Sequence, residues 1–87
     1  MVLRNISEMR LDKWLKVSRL IKRRTVAQEA CDGGRVSVNG RTAKPSAEVR
    51  PGDIVEIAFG AKRLRAEVLS VQESVKKDDA AAMYREI

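Results

Sequence analysis

Two hydrophobic periods divide this chain, a helical one up to Gly33 and an alternating one after it. Between Arg10 and about Leu20, the residues Leu11, Trp14, Leu15 and Ser18 fall at i, i+3, i+4 and i+7, the stripe of one helix. Lys13, Lys16 and Arg19 lie away from that stripe. Asp12 precedes Lys16 by four residues, so these two are expected to pair, which leaves Lys13 and Arg19 as the better phosphate contacts. Ile21 to Arg24 reads as a short basic connection. Thr25 and Gln28 then have the spacing of a capping box, and Val26, Ala27, Ala30 and Cys31 form the apolar face of a second helix that Gly33-Gly34 ends. Its outward Glu29 and Asp32 would repel phosphate. A nucleic-acid backbone is therefore expected at the helix N-terminus, where Lys22, Arg23, Arg24 and free backbone N–H groups converge.

Beyond Gly34 the pattern becomes that of strands. Arg35 to Val38 precedes Asn39-Gly40, the strongest short hairpin signal, and Arg41 to Ala43 begins the return. Pro45 stops that strand and Pro51-Gly52-Asp53 marks another turn. Asp53 to Phe59 alternates, with Val55, Ile57 and Phe59 on one face. Gly60-Ala61 suits a type II′ hairpin, and Leu64, Ala66 and Val68 continue the alternation until the phase slips at Leu69. Ser74 to Ile87 reads as a final helix, with Ala80, Met83, Tyr84 and Ile87 at helical spacing, able to cover the sheet or to dock on a partner. The expected fold class is α+β: two N-terminal helices on a small antiparallel sheet, with a short C-terminal helix.

Charge changes the picture more than composition does. Of 87 residues, 18 are Lys or Arg and 12 are Asp or Glu, a net charge of +6. Arg10, Lys13, Lys16, Arg19, Lys22, Arg23 and Arg24, offset only by Asp12, account for all of it, and the rest of the chain is neutral. Basicity confined to one rigid, amphipathic segment makes a directional field, the footprint of a phosphate-binding surface rather than of a merely solvated helix face. Eighty-seven residues, 44% of them apolar, make one small domain with one modest core. No apolar run approaches the roughly 20 residues that span a bilayer, although an anionic membrane surface could attract the basic segment. The single Cys31 fits a reducing cytoplasm.

Catalysis is poorly provided for. With no histidine, nucleophile–imidazole pairs and histidine–metal sites are unavailable, and neither a metal nor a cofactor is expected. Cys31 reads as a buried structural thiol. Trp14 could stack on a base, but its place in the stripe makes it a core residue. A helix-turn-helix reader of duplex DNA would not present Glu29 and Asp32 from its second helix. With three aromatics, all placed for a core, a stacking platform for single strands is also disfavoured. Backbone and shape recognition of a structured RNA remains.

The ordered segments Arg10-Leu11-Asp12-Lys13-Trp14-Leu15, Arg19, Arg23-Arg24-Thr25-Val26-Ala27 and Gly34-Arg35-Val36-Ser37-Val38-Asn39-Gly40 closely resemble the RNA-binding domain named after small-subunit ribosomal protein four. Lys44-Pro45 and Val49-Arg50-Pro51-Gly52-Asp53 continue the likeness, over about residues 9 to 75. Residues 1–8 then stand as an N-terminal extension, expected to be flexible, and 76–87 as a C-terminal helix packed on the domain. Most members of the family attach the domain to an enzyme, whereas this chain resembles the free-standing, ribosome-associated subgroup. Val17 to Arg24 and the ending Lys76-Lys77 through Ala82-Met83-Tyr84 look most like the short branch of that subgroup. That resemblance implies a non-enzymatic factor that binds obstructed large ribosomal subunits carrying peptidyl-tRNA. It would contact large-subunit ribosomal RNA and the tRNA while a tailing partner extends the stalled nascent chain. The alternatives are the recycling role of the heat-shock branch and a duplex-DNA-binding regulator of transcription. Carried over by position, the RNA contacts are Arg10, Lys13, Arg19, Lys22, Arg23 and Arg24, followed by Asn39 and Lys44.

Overall fold

The computed structural model describes residues 8–72 and 80–87. A short strand, β1 (Met9–Arg10), leads straight into helix α1 (Leu11–Val17), and a turn and connection deliver the chain to α2 (Arg24–Asp32). Then come β2 (Val36–Val38), β3 (Arg41–Thr42), β4 (Glu48–Val49), β5 (Ile54–Phe59) and β6 (Lys62–Val68). A 3-10 turn (Ala81–Met83) precedes β7 (Tyr84–Glu86). Among the described residues the main sheet is antiparallel in the order β3-β2-β5-β6-β7, and β1 pairs separately with β4. The α+β class expected from the periodicities is the one observed.

Turn chemistry sets the sheet register. Asn39 and Gly40 have φ of 52° and 85°, the primed turn that Asn-Gly favours, and place Val38 opposite Arg41. Gly60, at φ 57°, does the same between β5 and β6, where Phe59 faces Lys62. With register fixed, Val55 and Ile57 of β5 and Ala66 and Val68 of β6 turn to the helices and are buried. Leu11, Trp14 and Leu15 of α1, and Ala27, Ala30 and Cys31 of α2, close the core from the other side. Trp14 is fully enclosed and donates its Nε1–H to the Ser70 carbonyl at 3.1 Å, so its one polar atom is satisfied inside the core. Burial, helped by the charges of Asp12 and Asp32, pushes the Cys31 thiol up to about 11, which keeps it protonated at neutral pH.

Several expectations are corrected. Helix α1 ends at Val17, short of Leu20, because Arg19 takes a left-handed conformation, φ 64°, that reverses the chain. Helix α2 starts two residues early, behind Arg23 rather than Thr25, and no side chain caps it; Gln28, free of the expected capping box, reaches Asp12 instead. Val26 and Phe59, both placed in the core by their periodicity, are 46% and 48% exposed, since both line an open groove between α2 and the end of β5. Of the final helix, Ser74 to Asp79 lie outside the described residues, and Ala81–Met83 forms a single 3-10 turn. One turn suffices to bury Met83. From Tyr84 onward the backbone gains more by pairing with the open edge of β6, with Arg85 bonded to Glu67 across the ladder.

The packing yields a direct expectation. Trp14→Ala should cost roughly 3–5 kcal/mol, enough to unfold a domain of this size. Cys31→Ala should cost about 1 kcal/mol or more. Thermal melts measure both, and the native protein should resist thiol alkylation until it is unfolded by denaturant.

Candidate nucleic-acid interface

A buried carboxylate organises the basic segment. Asp12, second residue of α1, has no exposed surface. Its Oδ1 accepts from the Lys13 amide at 2.7 Å and from Arg10 Nε at 3.2 Å. Its Oδ2 accepts from Arg10 Nη2 at 3.1 Å, Gln28 Nε2 at 3.0 Å and Arg24 Nε at 3.3 Å. Strand β1, the start of α1 and the first two turns of α2 are thus tied to one side chain. Burial alone would raise this carboxyl, but the hydrogen bonds from Gln28, Arg24 and Arg10, with the charge of Arg24, outweigh it and hold it below the ordinary 3.8. The expected Asp12–Lys16 pair is therefore replaced. Lys16 is exposed in the last turn of α1, where a cation suits the helix dipole.

This hub sorts the cations into two groups. Arg10 and Arg24 are oriented by Asp12 while keeping 50% and 42% of their side chains exposed. Lys16, Arg19, Lys22 and Arg23 are exposed, and among the described residues no ion pair engages them. Lys13 is half-buried beside the hub. The α1–α2 turn is itself braced: the Ile21 amide donates to the Leu15 carbonyl at 3.1 Å, and the buried Ser18 hydroxyl donates to the same carbonyl at 3.2 Å. Arg19 keeps its left-handed backbone within this brace, a conformation that costs a non-glycine residue roughly 1–2 kcal/mol.

The peripheral candidates separate. Lys44 is exposed on the loop whose Pro45 and Ala47 carbonyls accept from the Asp12 and Leu11 amides, so it stands by the N-terminus of α1. Asn39 is occupied in holding the fold. Its Nδ2 donates to Asp53 Oδ1 at 3.1 Å and its Oδ1 accepts from the Ile54 amide at 2.9 Å. Arg10, Lys13 and Arg24 share a hollow of about 440 Å³ with Glu8 and Glu48. Pairing of β1 with β4, each two residues long and without a detectable alternation, brings these acids there. Glu48 is pushed up by its hydrogen bond to Glu8 and by the Glu8 charge, against the pull of Arg50. Two carboxylates on one rim would repel a phosphate chain, which leaves the turn and connection from Lys16 to Arg24 as the open cationic side. The exposed face of α2 carries Glu29 and Asp32, as its sequence implies.

The chain is similar to known proteins over most of its length. The family model described as the S4 domain matches residues 9–55. A protein of Streptococcus pneumoniae named "RQC P-site tRNA stabilizing factor" is 59% identical over 76 residues, covering 87% of this chain and 86% of that protein. A protein of the same name from Bacillus subtilis is 54% identical over 76 residues, covering 87% and 88%. Among solved structures, the trimeric Heat Shock Protein 15 of Vibrio cholerae superposes with a TM-score of 0.84 at 33% identity, over 92% of this chain and 82% of that one.

Because the folded Asp12 carboxyl titrates below its ordinary value, its contribution to stability is complete above about pH 4 and is lost as pH falls through the depressed folded value. Asp12→Asn turns Oδ2, which now faces three donors, into a fourth donor, and should cost about 2–3 kcal/mol at neutral pH. Melts from pH 8 down should show a constant gap between wild type and variant that narrows only below about pH 4. A gap independent of pH throughout the acid range would show that the Asp12 charge contributes nothing.

Proposed function

The chain belongs to the S4-domain family, in its branch of RQC P-site tRNA stabilizing factors, and from that premise we propose that it holds peptidyl-tRNA on obstructed large ribosomal subunits during ribosome-associated quality control. The observation that carries this reading is the row of exposed cations Lys16, Arg19, Lys22 and Arg23, without an ion-pair partner among the described residues and flanked by the oriented Arg10 and Arg24. This row displaces the counterions condensed on phosphates of the tRNA and of large-subunit ribosomal RNA, a contribution that needs no base sequence. The N-terminus of α2, capped by no side chain, offers amide N–H groups to one phosphate beside Arg23 and Arg24. The Arg24 fork, held at Nε by Asp12, meets that phosphate with its remaining nitrogens. Lys13 and Lys44 extend the contact toward the start of α1, and Asn39 serves the hairpin. The factor acts by binding alone: fixing the tRNA leaves the acceptor end in place while a separate tailing partner extends the stalled chain.

Duplex DNA fits less well, because the exposed side of α2 is acidic at Glu29 and Asp32. The heat-shock branch shares the fold at lower identity, which supports a recycling role less than tRNA stabilisation.

Co-sedimentation with purified large subunits should show binding that strengthens when peptidyl-tRNA is present, and equal binding to empty and tRNA-bearing subunits would refute the tRNA assignment. Lys22→Ala and Arg19→Ala should each lower the salt slope by about one, whereas Arg85→Ala, on the far edge strand and bonded to Glu67, should leave it unchanged. Arg19→Gly separates charge from backbone: relative to Arg19→Ala it should be more stable by about 1 kcal/mol, yet bind no better.

A further inference from the structure

Val26 and Phe59, the two residues whose periodicity puts them in the core and whose side chains are instead half exposed, open onto one groove. It encloses about 410 Å³ between the α1–α2 connection, α2 and the end of β5, with Leu20, Ile57 and Ala58 completing its apolar lining. Lys22 and Arg35 stand on its rim with Glu29, and neither cation has an ion-pair partner among the described residues. Two features decide what fits. The volume lies at the low end of the ~300–1,000 Å³ typical of small-ligand pockets, room for one ring system rather than for the successive anchors of an amphipathic helix. The apolar floor is also continuous with the basic connection, since Leu20, Ile21 and Lys22 belong to both. An aromatic face beside two free cations is the arrangement on which an unpaired base stacks while its flanking phosphates are neutralised.

We propose that this groove receives one unpaired base of the bound tRNA, stacked against Phe59, with the phosphates on either side of it held by Lys22 and Arg35. The assignment of tRNA as the source rests on the function proposed above, and it adds to backbone recognition a contact that does not depend on salt. Stacking accounts for the exposure of Phe59 in a chain with few aromatics, and Val26 supplies the opposite wall.

The test uses the full chain and large subunits carrying peptidyl-tRNA. Phe59→Ala should weaken co-sedimentation about tenfold without changing the salt slope, at a temperature where thermal melts show the variant to be folded. Phe59→Tyr should restore it, and Leu69→Ala, at an exposed apolar residue outside the groove, should match wild type. A photoreactive benzophenone amino acid in place of Phe59 should cross-link to tRNA. Cross-linking to ribosomal RNA or to a protein instead would overturn the proposal, as would wild-type affinity of Phe59→Ala. If wild type itself fails to bind the tRNA-bearing subunits, the function proposed above falls and the base pocket with it; if wild type binds and only the Phe59 results fail, the pocket alone falls.

Discussion

Everything on the basic side of this molecule depends on one buried negative charge. An isolated carboxylate inside a core would be expelled or protonated, but Asp12 is surrounded by donors from three directions: Arg10 before α1, the Lys13 amide within it, and Arg24 and Gln28 on α2. The charge is thus satisfied, and satisfying it forces the two helices into one relative placement. Apolar contacts between Leu15, Ala27 and Cys31 would allow some sliding, because hydrophobic burial is not directional. Five hydrogen bonds to two oxygens are directional and allow little.

The same interaction decides which cations are held in ion pairs and which stand exposed. A binding surface made wholly of free lysines and arginines would repel itself and present no fixed geometry. Here two arginines are oriented by an anion and the remaining cations are raised around them on a braced turn. Orientation of Arg10 and Arg24 is bought with one negative charge, so the segment still carries its full excess. Arg19 shows the demand from the other side. A left-handed turn position that glycine would fill without strain holds a long cation instead, consistent with a role for the side chain rather than for the backbone.

The sheet beneath is less committed to one task. Its buried face completes the core, while its far edge is closed by β7 and its near end leaves Phe59 uncovered. The family match over residues 9–55 takes in both helices and the strands up to β4, together with the first residues of β5. The β5–β6 hairpin that carries Phe59 at its turn extends past that match.

Much of this was legible in the sequence. The period change at Gly33, Asn39-Gly40, and the stripe of Leu11, Trp14 and Leu15 reported local forces that act within a few residues, so helices, hairpin register and the core assignment of Trp14 and Cys31 followed from them. The concentration of charge between Arg10 and Arg24 was equally plain, and with the family resemblance it indicated an RNA-binding surface. What could not be read was any partner distant along the chain. Asp12 pairs with Lys16 by helical spacing, but in the fold it is claimed by Arg24 and Gln28 from another helix. Glu48 comes beside Arg10 only through a two-residue strand too short to carry a period, and Tyr84–Glu86 becomes a strand because β6 offers an open edge. Val26 and Phe59 have the right period and the wrong surroundings, since periodicity says which way a side chain points and only tertiary packing decides whether another layer reaches far enough to cover it.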